Sequence, residues 1–174
     1  MSLLLLFIPY SAFSWECNGH VAFGLPRSVD QLLCHEGYAV GYDSEKKVPS
    51  WVAYHITKEN VEKKYKRSNR FKEDAEIVEA HRATLRDYKG SGYDRGHMAP
   101  AATIDFSKSS MQESFLMTNM TPQLPGLNRQ GWRYLEASVR DWVADRGDLY
   151  VVTGVLFDCS ATIILSGWAT FQVS

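Results

Sequence analysis

The segment from Leu127 to Phe157 most constrains the fold, because an amphipathic helix is followed at once by an apolar strand. Apolar side chains recur at helical spacing over residues 127–144, at Trp132, Leu135, Val139, Trp142 and Val143. After the break at Asp145–Gly147, the run Leu149–Phe157 (LYVVTGVLF) predicts a buried strand. The apolar helix face and this strand must be buried in one hydrophobic core.

The rest of the chain predicts an α+β fold with a mainly antiparallel sheet. Trp51–Thr57, which contains His55, is aromatic and β-branched and predicts a strand, and Phe115–Met120 predicts a strand or an extended segment. No regular alternation of strand, helix and strand occurs, which argues against a parallel sheet. Weaker patterns predict a loop-rich region over 15–45, a loop or short helix over 59–72, a helix over 75–85 and a short helix capped by Ser110 and Glu113.

Length, composition and charge limit the classes of protein to which the chain can belong. The chain has 174 residues, of which 45% are hydrophobic and 22% charged, as expected for one globular domain. The formal net charge of -1 does not by itself indicate a polyanionic partner. A basic cluster can nevertheless neutralise phosphates, although most charged runs only solvate a surface. The cluster consists of Lys58, Lys63, Lys64, Lys66, Arg67, Arg70 and Lys72.

The N-terminal residues and the cysteines predict export. Residues 1–14 (MSLLLLFIPYSAFS) contain an apolar run too short to span a bilayer, and Ala12 and Ser14 suit cleavage before Trp15. We therefore expect a signal peptide over 1–14, with a buried N-terminal strand as the alternative, because no Lys or Arg precedes the apolar run. In an oxidising compartment Cys17 and Cys34 would form a disulfide, with Cys159 left over. These features predict a secreted or periplasmic protein.

Asn128 places a polar side chain on the apolar face of the predicted helix, four residues before Trp132 and seven before Leu135. A buried amide without a partner would cost about 1–3 kcal/mol. Two explanations remain open: Asn128 caps the start of the helix, or its amide oxygen binds a hard cation such as Mg²⁺. Glu136 lies roughly 12 Å further along the helix axis, which suits contact with metal-bound water better than direct coordination.

The run Tyr93–Pro100 (YDRGHMAP) supplies groups that phosphodiester hydrolysis needs. A histidine such as His97 can take a proton from water near neutral pH. An arginine such as Arg95 can bind a phosphate through two hydrogen bonds. Gly96 between them relaxes the backbone, so that both side chains could face one site. The alternative is an Asp–Arg surface pair beside a buried histidine.

These motifs resemble those of the DNA/RNA non-specific endonucleases, the endonuclease G-like family. Tyr93–Pro100 resembles the family signature, Phe115–Gln123 (FLMTNMTPQ) its Asn-x-x-Pro-Gln segment, and Leu127–Glu136 (LNRQGWRYLE) its metal-binding helix. Three further segments also fit, namely residues 51–60 (WVAYHITKEN), 70–74 (RFKED) and 151–156 (VVTGVL). The motifs occur in the family's order, and the resemblance covers about residues 45–158.

The resemblance implies a ββα-metal (His-Me finger) site, with the histidine on a β element and the metal ligand on the following helix. His97 would be the general base, and Asn128 the sole direct protein ligand of a largely hydrated Mg²⁺, for which Mn²⁺ can substitute. Glu136 would orient the waters of the ion. The implied activity is an endonuclease that cuts DNA and RNA with little sequence preference, because phosphate contacts carry no sequence information.

Further residues are implied at the phosphate. Arg95 and Asn119 would support the phosphate and the transition state. An upstream arginine would join them, and Arg67 and Arg70 compete for that role. The implied partners are DNA and RNA substrates, with no membrane for the mature chain, and a homodimer is left open.

The last residues depart from the family. Residues 159–174 (CSATIILSGWATFQVS) contain no charged residue and resemble nothing in the family, whose members continue with further strands. We therefore expect a domain over 15–158 and an atypical tail from a truncated or frameshifted gene end. The sheet would be incomplete and would leave a strand edge unpaired. The competing hypothesis is a catalytically inactive remnant of a nuclease fold that still binds nucleic acid.

Overall fold

The fold is α+β, with two antiparallel sheets. The computed structural model describes residues 16–62, 64–156 and 168–173, so the predicted signal peptide and Cys159 lie outside the described residues. The larger sheet is built from β1 (Gln31–Cys34), β2 (Ala39–Asp43), β3 (Val48–Ile56), β6 (Leu149–Gly154) and β7 (Trp168–Val173), adjacent in that order. The smaller sheet pairs β4 (Asp94–His97) with β5 (Met120–Gln123).

The helices are short apart from one. They are α1 (Lys58–Glu62), α2 (Leu85–Tyr88), α3 (Lys108–Glu113) and α4 (Arg133–Arg146), and a π-helical segment, Leu127–Trp132, leads directly into α4. Short 3₁₀ turns lie at Glu16–Gly19, Glu79–His81 and Met117–Asn119. Among the described residues, no helix is long and apolar enough to cross a bilayer.

Strand β3 separates two hydrophobic clusters because successive side chains point to opposite faces of a sheet. Val52, Tyr54 and Ile56 join the main core, which also contains Val139 and Val143 of α4. The shared core of helix and apolar strand is confirmed, since Leu149 and Val151 of β6 belong to the same cluster. On the opposite face, Trp51 and Ala53 pack with Cys17 and Val21.

The C-terminal tail contributes to the sheet. Strand β6 pairs with β3 on one side and with β7 on the other, in a register that places Leu149 opposite Val173. Residues 168–173 therefore supply the second partner of the apolar strand, and the expectation that β6 would have an unpaired edge is wrong. The predicted strand was also too long, since β6 ends at Gly154.

The region over 15–45 contains more structure than predicted. The disulfide between Cys17 and Cys34 is confirmed, and their Cα atoms lie 4.6 Å apart. The loop-rich prediction is wrong, because β1 and β2 form a hairpin here. Four of the five residues of β2 are buried, so this strand lacks the alternation of apolar and polar residues that marks a half-exposed strand.

Other local predictions are corrected by side-chain hydrogen bonds. The helix expected over 75–85 is absent, because Asp74 accepts a hydrogen bond from the backbone N–H of Glu76 (3.0 Å) and thereby stabilises a turn. The short helix α3 is capped by Ser107, which accepts from the N–H of Ser110 (2.9 Å), and not by Ser110 itself. The segment 115–120 forms a 3₁₀ turn, and the strand begins only at Met120.

Candidate functional site

A cleft of about 450 Å³ lies between β4 and the long helix. Five of the residues predicted for the site line it together: Arg67, Arg95, His97, Asn128 and Glu136. They come from an upstream loop, from β4, and from the π segment with α4. The order β4, β5, helix is the predicted ββα arrangement, with the histidine on a strand and the asparagine on the following helix.

Two long-range hydrogen bonds hold β4 against the rest of the domain. The indole Nε1 of Trp132 donates to the backbone oxygen of His97 (3.1 Å), and the hydroxyl of Thr153 donates to that of Met98 (3.1 Å). Both donors are buried. The histidine backbone is therefore fixed from the helix and from the central sheet at once.

The aromatic rings of Phe71 and Phe115 lie beside His97, and each of them also contacts an arginine of the cleft. The ring centroid of His97 lies 5.0 Å from that of Phe115, edge to face, and 5.8 Å from that of Phe71. Arg67 stacks over Phe115 at 5.0 Å and Arg95 over Phe71 at 4.1 Å, measured from the guanidinium carbon to the ring centroid. These cation–π contacts restrain two flexible cations beside the imidazole.

The imidazole of His97 is held neutral. Burial lowers its pKa to about 3, and the positive charges of Arg67 and Arg95 contribute to the shift. Its Nε2 atom is buried and has no hydrogen-bond partner among the described residues. In the tautomer that carries its proton on Nδ1, Nε2 would have a free lone pair and could accept a proton from a molecule bound beside it.

Asn128 is oriented by an acidic residue of the signature motif. Its amide nitrogen donates to Asp94 Oδ2 (2.9 Å), which leaves the amide oxygen as the group available to a ligand. Arg129 binds both oxygens of the same carboxylate (2.9 and 2.8 Å), and this interaction is the largest cause lowering the pKa of Asp94. Asn128 lies inside the helical segment, since its backbone N–H donates to the backbone oxygen of Leu124 (2.9 Å), and no side chain caps that segment, so the cap explanation for Asn128 is wrong.

Glu136 also lines the cleft, from α4. Burial raises its pKa to about 7, while the nearby Arg140 and Arg67 oppose that shift. Arg133, Glu136 and Arg140 follow one another at spacings of three and four residues, so they share a face of the helix. All three line the cleft.

Asn119 does not reach the cleft, which corrects its predicted contact with the phosphate. The side chain is fully buried. Its nitrogen donates to the backbone oxygens of Ala99 and Ser114 (both 2.9 Å), and its oxygen accepts from the N–H of Ala99 (2.8 Å). With its amide used in this way, Asn119 holds the loop that follows His97 and has no group left for a substrate.

The structure also separates the two competing arginines. Arg67 lines the cleft, whereas Arg70 lines a neighbouring groove, so the geometry favours Arg67 as the upstream arginine and corrects the placement of Arg70 in the site. Gly96 is needed for a different reason from the one expected. Its φ is not in the left-handed region, but a Cβ there would overlap the side chain of Gln123 on β5.

The cleft suits an oxygen-ligated cation with few protein ligands. Within the described part of the chain, no group of three or more His, Cys, Asp or Glu side chains is placed to hold a metal ion. The amide oxygen of Asn128 and the carboxylate of Glu136 are both hard oxygen donors, the type that Mg²⁺ prefers. Such an ion would retain most of its water.

Several residues of the cleft or its wall were not anticipated as part of the site, among them Asp94, Phe71, Phe115, Arg133 and Arg140. The two arginines could have been found, since they flank Glu136 at helical spacing on the face already assigned to the site. The two phenylalanines gave no such signal, because a buried phenylalanine in a hydrophobic stretch is usually only part of the core.

Comparison with known proteins agrees with this geometry. The sequence profile described as "DNA/RNA non-specific endonuclease" matches residues 17–167. The chain belongs to this family. A nuclease of Syncephalastrum racemosum is 42% identical over 142 residues, which cover 79% of this chain and 44% of that protein. The mitochondrial nuclease of Saccharomyces cerevisiae is 37% identical over 149 residues, 84% of this chain and 45% of the relative.

A solved structure of the same family has the same fold. That structure is the crystal structure of the EndoG/EndoGI complex, which concerns the mechanism of EndoG inhibition. It matches this chain with a TM-score of 0.74 and 34% identity. The match covers 84% of this chain and 63% of that one. The chain spans about half the length of the curated relatives it matches, 44% and 45% for the two fungal proteins above.

The expectation of a secreted or periplasmic protein is wrong by this comparison. Relatives from Saccharomyces cerevisiae, Schizosaccharomyces pombe and Homo sapiens are named as mitochondrial nucleases. The disulfide that suggested an oxidising compartment is nevertheless part of the fold.

Proposed function

We propose that the chain is a Mg²⁺-dependent endonuclease that hydrolyses phosphodiester bonds in DNA and RNA with little sequence preference. The observation that carries the proposal is the unpartnered Nε2 of His97, a residue that lines the same cleft as Asn128. In this proposal His97 would be the base for water and Asn128 the ligand for a hard cation, and both line one cleft with Arg67 and Arg95.

In this proposal His97 takes a proton from the attacking water at Nε2. Its low pKa keeps it in the neutral, accepting form at physiological pH. Arg67 and Arg95, restrained on Phe115 and Phe71, donate to the phosphate oxygens. Because these groups contact only phosphate, the site would accept any base sequence and either sugar.

Asn128 would hold Mg²⁺, or Mn²⁺ in its place, through the amide oxygen that the Asp94 contact leaves free. When bound, the ion supplies a positive charge that stabilises the transferring phosphate and the leaving oxygen. Glu136 would accept hydrogen bonds from the water around the ion, and the pKa of about 7 in the metal-free protein would fall beside a cation.

A plasmid-nicking assay with and without Mg²⁺ tests the activity. We expect nicking that requires the ion, and we expect His97→Ala to reduce the rate by about 10²–10⁴-fold while DNA binding is retained. Near-normal turnover in that variant would remove His97 from the mechanism. A wild-type protein that binds DNA but does not nick it would instead favour the inactive remnant.

The metal role of Asn128 needs its own experiment. Titration of Mg²⁺ against nicking should show that Asn128→Ala needs more of the ion than the wild type, whereas Asn128→Asp retains an oxygen donor and needs less than the alanine variant. An unchanged Mg²⁺ requirement in Asn128→Ala would contradict the assignment. Repeating the titration with Mn²⁺ tests whether that ion can replace Mg²⁺.

A further inference from the structure

We propose that a groove beside the cleft binds the substrate strand next to the bond that is cut. This basic groove, of about 440 Å³, contains Tyr65, Lys66, Arg67, Arg70 and Lys108 in its lining. The ligand we assign to it is one single-stranded stretch of nucleic acid, held by a phosphate and by stacking of a base. The inference rests on the proposed function, because it extends the same substrate beyond the cleft.

Arg67 connects the groove to the cleft. It lines both cavities, and its guanidinium Nε donates to Asn69 Oδ1 (2.7 Å) while stacking over Phe115. Arg70 is three residues further on, so the two Cα atoms are at most about 11 Å apart. A strand whose phosphate is bound by Arg67 could therefore place the neighbouring phosphate within reach of the Arg70 side chain.

The groove has cations that are not already neutralised. Within the described part of the chain, no ion pair involves Lys66, Arg70 or Lys108. Lys64, in contrast, is bound to Asp105 (3.0 Å) and serves to fix the loop. Unpaired cations on a concave surface next to a phosphate-cleaving site are positioned to replace the counterions of a phosphate backbone.

Tyr65 supplies a flat surface in the same groove. Its side chain is 50% exposed, although it is large and aromatic. The backbone N–H of Tyr65 donates to the backbone oxygen of Asp105 (2.8 Å), which anchors the residue that carries this ring. Exposed aromatic rings beside a basic groove are used to stack bases of single strands without sequence preference, which agrees with the breadth of the proposed activity.

The test of the phosphate contacts is a binding measurement that needs no catalysis. A fluorescein-labelled single-stranded oligonucleotide is titrated with protein in EDTA, and anisotropy is followed at several salt concentrations. For a single strand the logarithm of the association constant falls by about 0.7 per phosphate contact for each tenfold rise in salt. The double variant Arg70→Ala/Lys108→Ala should therefore lower the slope by about 1.4.

A charge-matched control separates the groove from a general loss of positive charge. Arg27 and Arg146 are exposed and line neither the cleft nor the groove, so Arg27→Ala/Arg146→Ala removes the same charge elsewhere. We expect the control to retain the wild-type slope. Equal slopes in the two double variants would overturn the phosphate contacts.

The stacking contact is tested at Tyr65 with a second ligand. Tyr65→Ala should weaken binding of the base-containing oligonucleotide by about fivefold or more. It should leave binding of an abasic oligonucleotide of the same length unchanged, and Tyr65→Phe should restore affinity. An equal loss on both oligonucleotides would refute the stacking.

Failure of this inference is distinguishable from failure of the proposed function. Suppose that the wild type nicks plasmid with Mg²⁺, that the Arg70/Lys108 double variant has the salt slope of its control, and that Tyr65→Ala weakens binding of both oligonucleotides equally or not at all. The nuclease proposal then stands and the groove assignment falls. If the groove variants lose affinity as expected while the wild type does not nick, the groove stands as a nucleic-acid site on an inactive protein.

Discussion

Replacing Asn119 by alanine separates a supporting residue from one that binds phosphate. The buried side chain makes three hydrogen bonds to the backbone, two of them to Ala99 and one to Ser114. Asn119→Ala removes all three and leaves buried backbone groups without partners. Each bond is worth about 1 kcal/mol net, and each group left unpaired costs about 1–3 kcal/mol, so we expect a loss of about 3 kcal/mol or more.

The assay is urea denaturation together with steady-state nicking. The free energy of unfolding of Asn119→Ala should be lower than that of the wild type by about 3 kcal/mol or more. The turnover number should also fall, because Ala99 is two residues from His97 and its backbone loses two of its bonds. Asn60→Ala is the matched control: its amide oxygen accepts from Thr57 at the start of α1, and it does not line the cleft. We expect a smaller stability loss there and unchanged turnover.

A different result would support direct contact with the phosphate. If Asn119→Ala keeps the wild-type free energy of unfolding but raises KM for DNA, the side chain must reach the substrate. In that case its buried position in the structure would not describe the substrate-bound protein. Asn119→Asp is a useful third variant, because it retains an acceptor for the Ala99 N–H but places a carboxylate against two carbonyl oxygens.

Three further predictions follow from single contacts. Gly96→Ala should lower stability and activity together, because the added Cβ meets the Gln123 side chain; normal nicking and melting would contradict this. Asp94→Ala should raise the Mg²⁺ concentration needed for nicking, since the Asn128 amide loses the acceptor that orients it; a Mg²⁺ titration checks it. Without metal, the pKa of Glu136 is about 7 in the folded protein against an ordinary value of 4.5, so the wild type loses stability as pH rises from 4.5 to about 7. Glu136→Gln carries no such charge, so its free energy of unfolding should rise relative to that of the wild type across this window, by roughly 1.4 kcal/mol per unit of pKa shift. Parallel pH profiles of the two proteins in urea would refute it.

The chemistry of the site was more predictable than its supporting contacts. The joint placement of His97 and Asn128 in one cleft was predictable because both occur in recognisable motifs, while their roles as base and metal ligand remain predictions. The assignment of Asn119 to the phosphate went wrong for a physical reason: an amide in such a motif can bind either a substrate or the backbone, and only burial distinguishes the two. Burial depends on contacts distant in sequence, here with Ala99, twenty residues away.

The secondary structure was predictable where one periodicity held over many residues. The helix before β6 met that condition, and its prediction succeeded apart from the π segment. The hairpin of β1 and β2 did not, because both strands are short and β2 is buried at four of its five positions, which leaves no alternation in its sequence. Local side-chain hydrogen bonds, such as that of Asp74 to Glu76, likewise replaced an expected helix by a turn.

The π segment explains how His97 and Asn128, which are far apart in sequence, are held in fixed positions relative to each other. Asn128, near its start, binds Asp94 at the first position of β4, and Trp132, at its end, binds the backbone of His97 at the last position. Both ends of the strand are thus bonded to one helical segment. Segments of π-helix occur mostly as single turns at functional sites, where a wider turn changes which side chains share a face. In this chain the wider turn lets a polar side chain and a buried anchor contact the same strand, so that the position of His97 relative to Asn128 is set by hydrogen bonds from both.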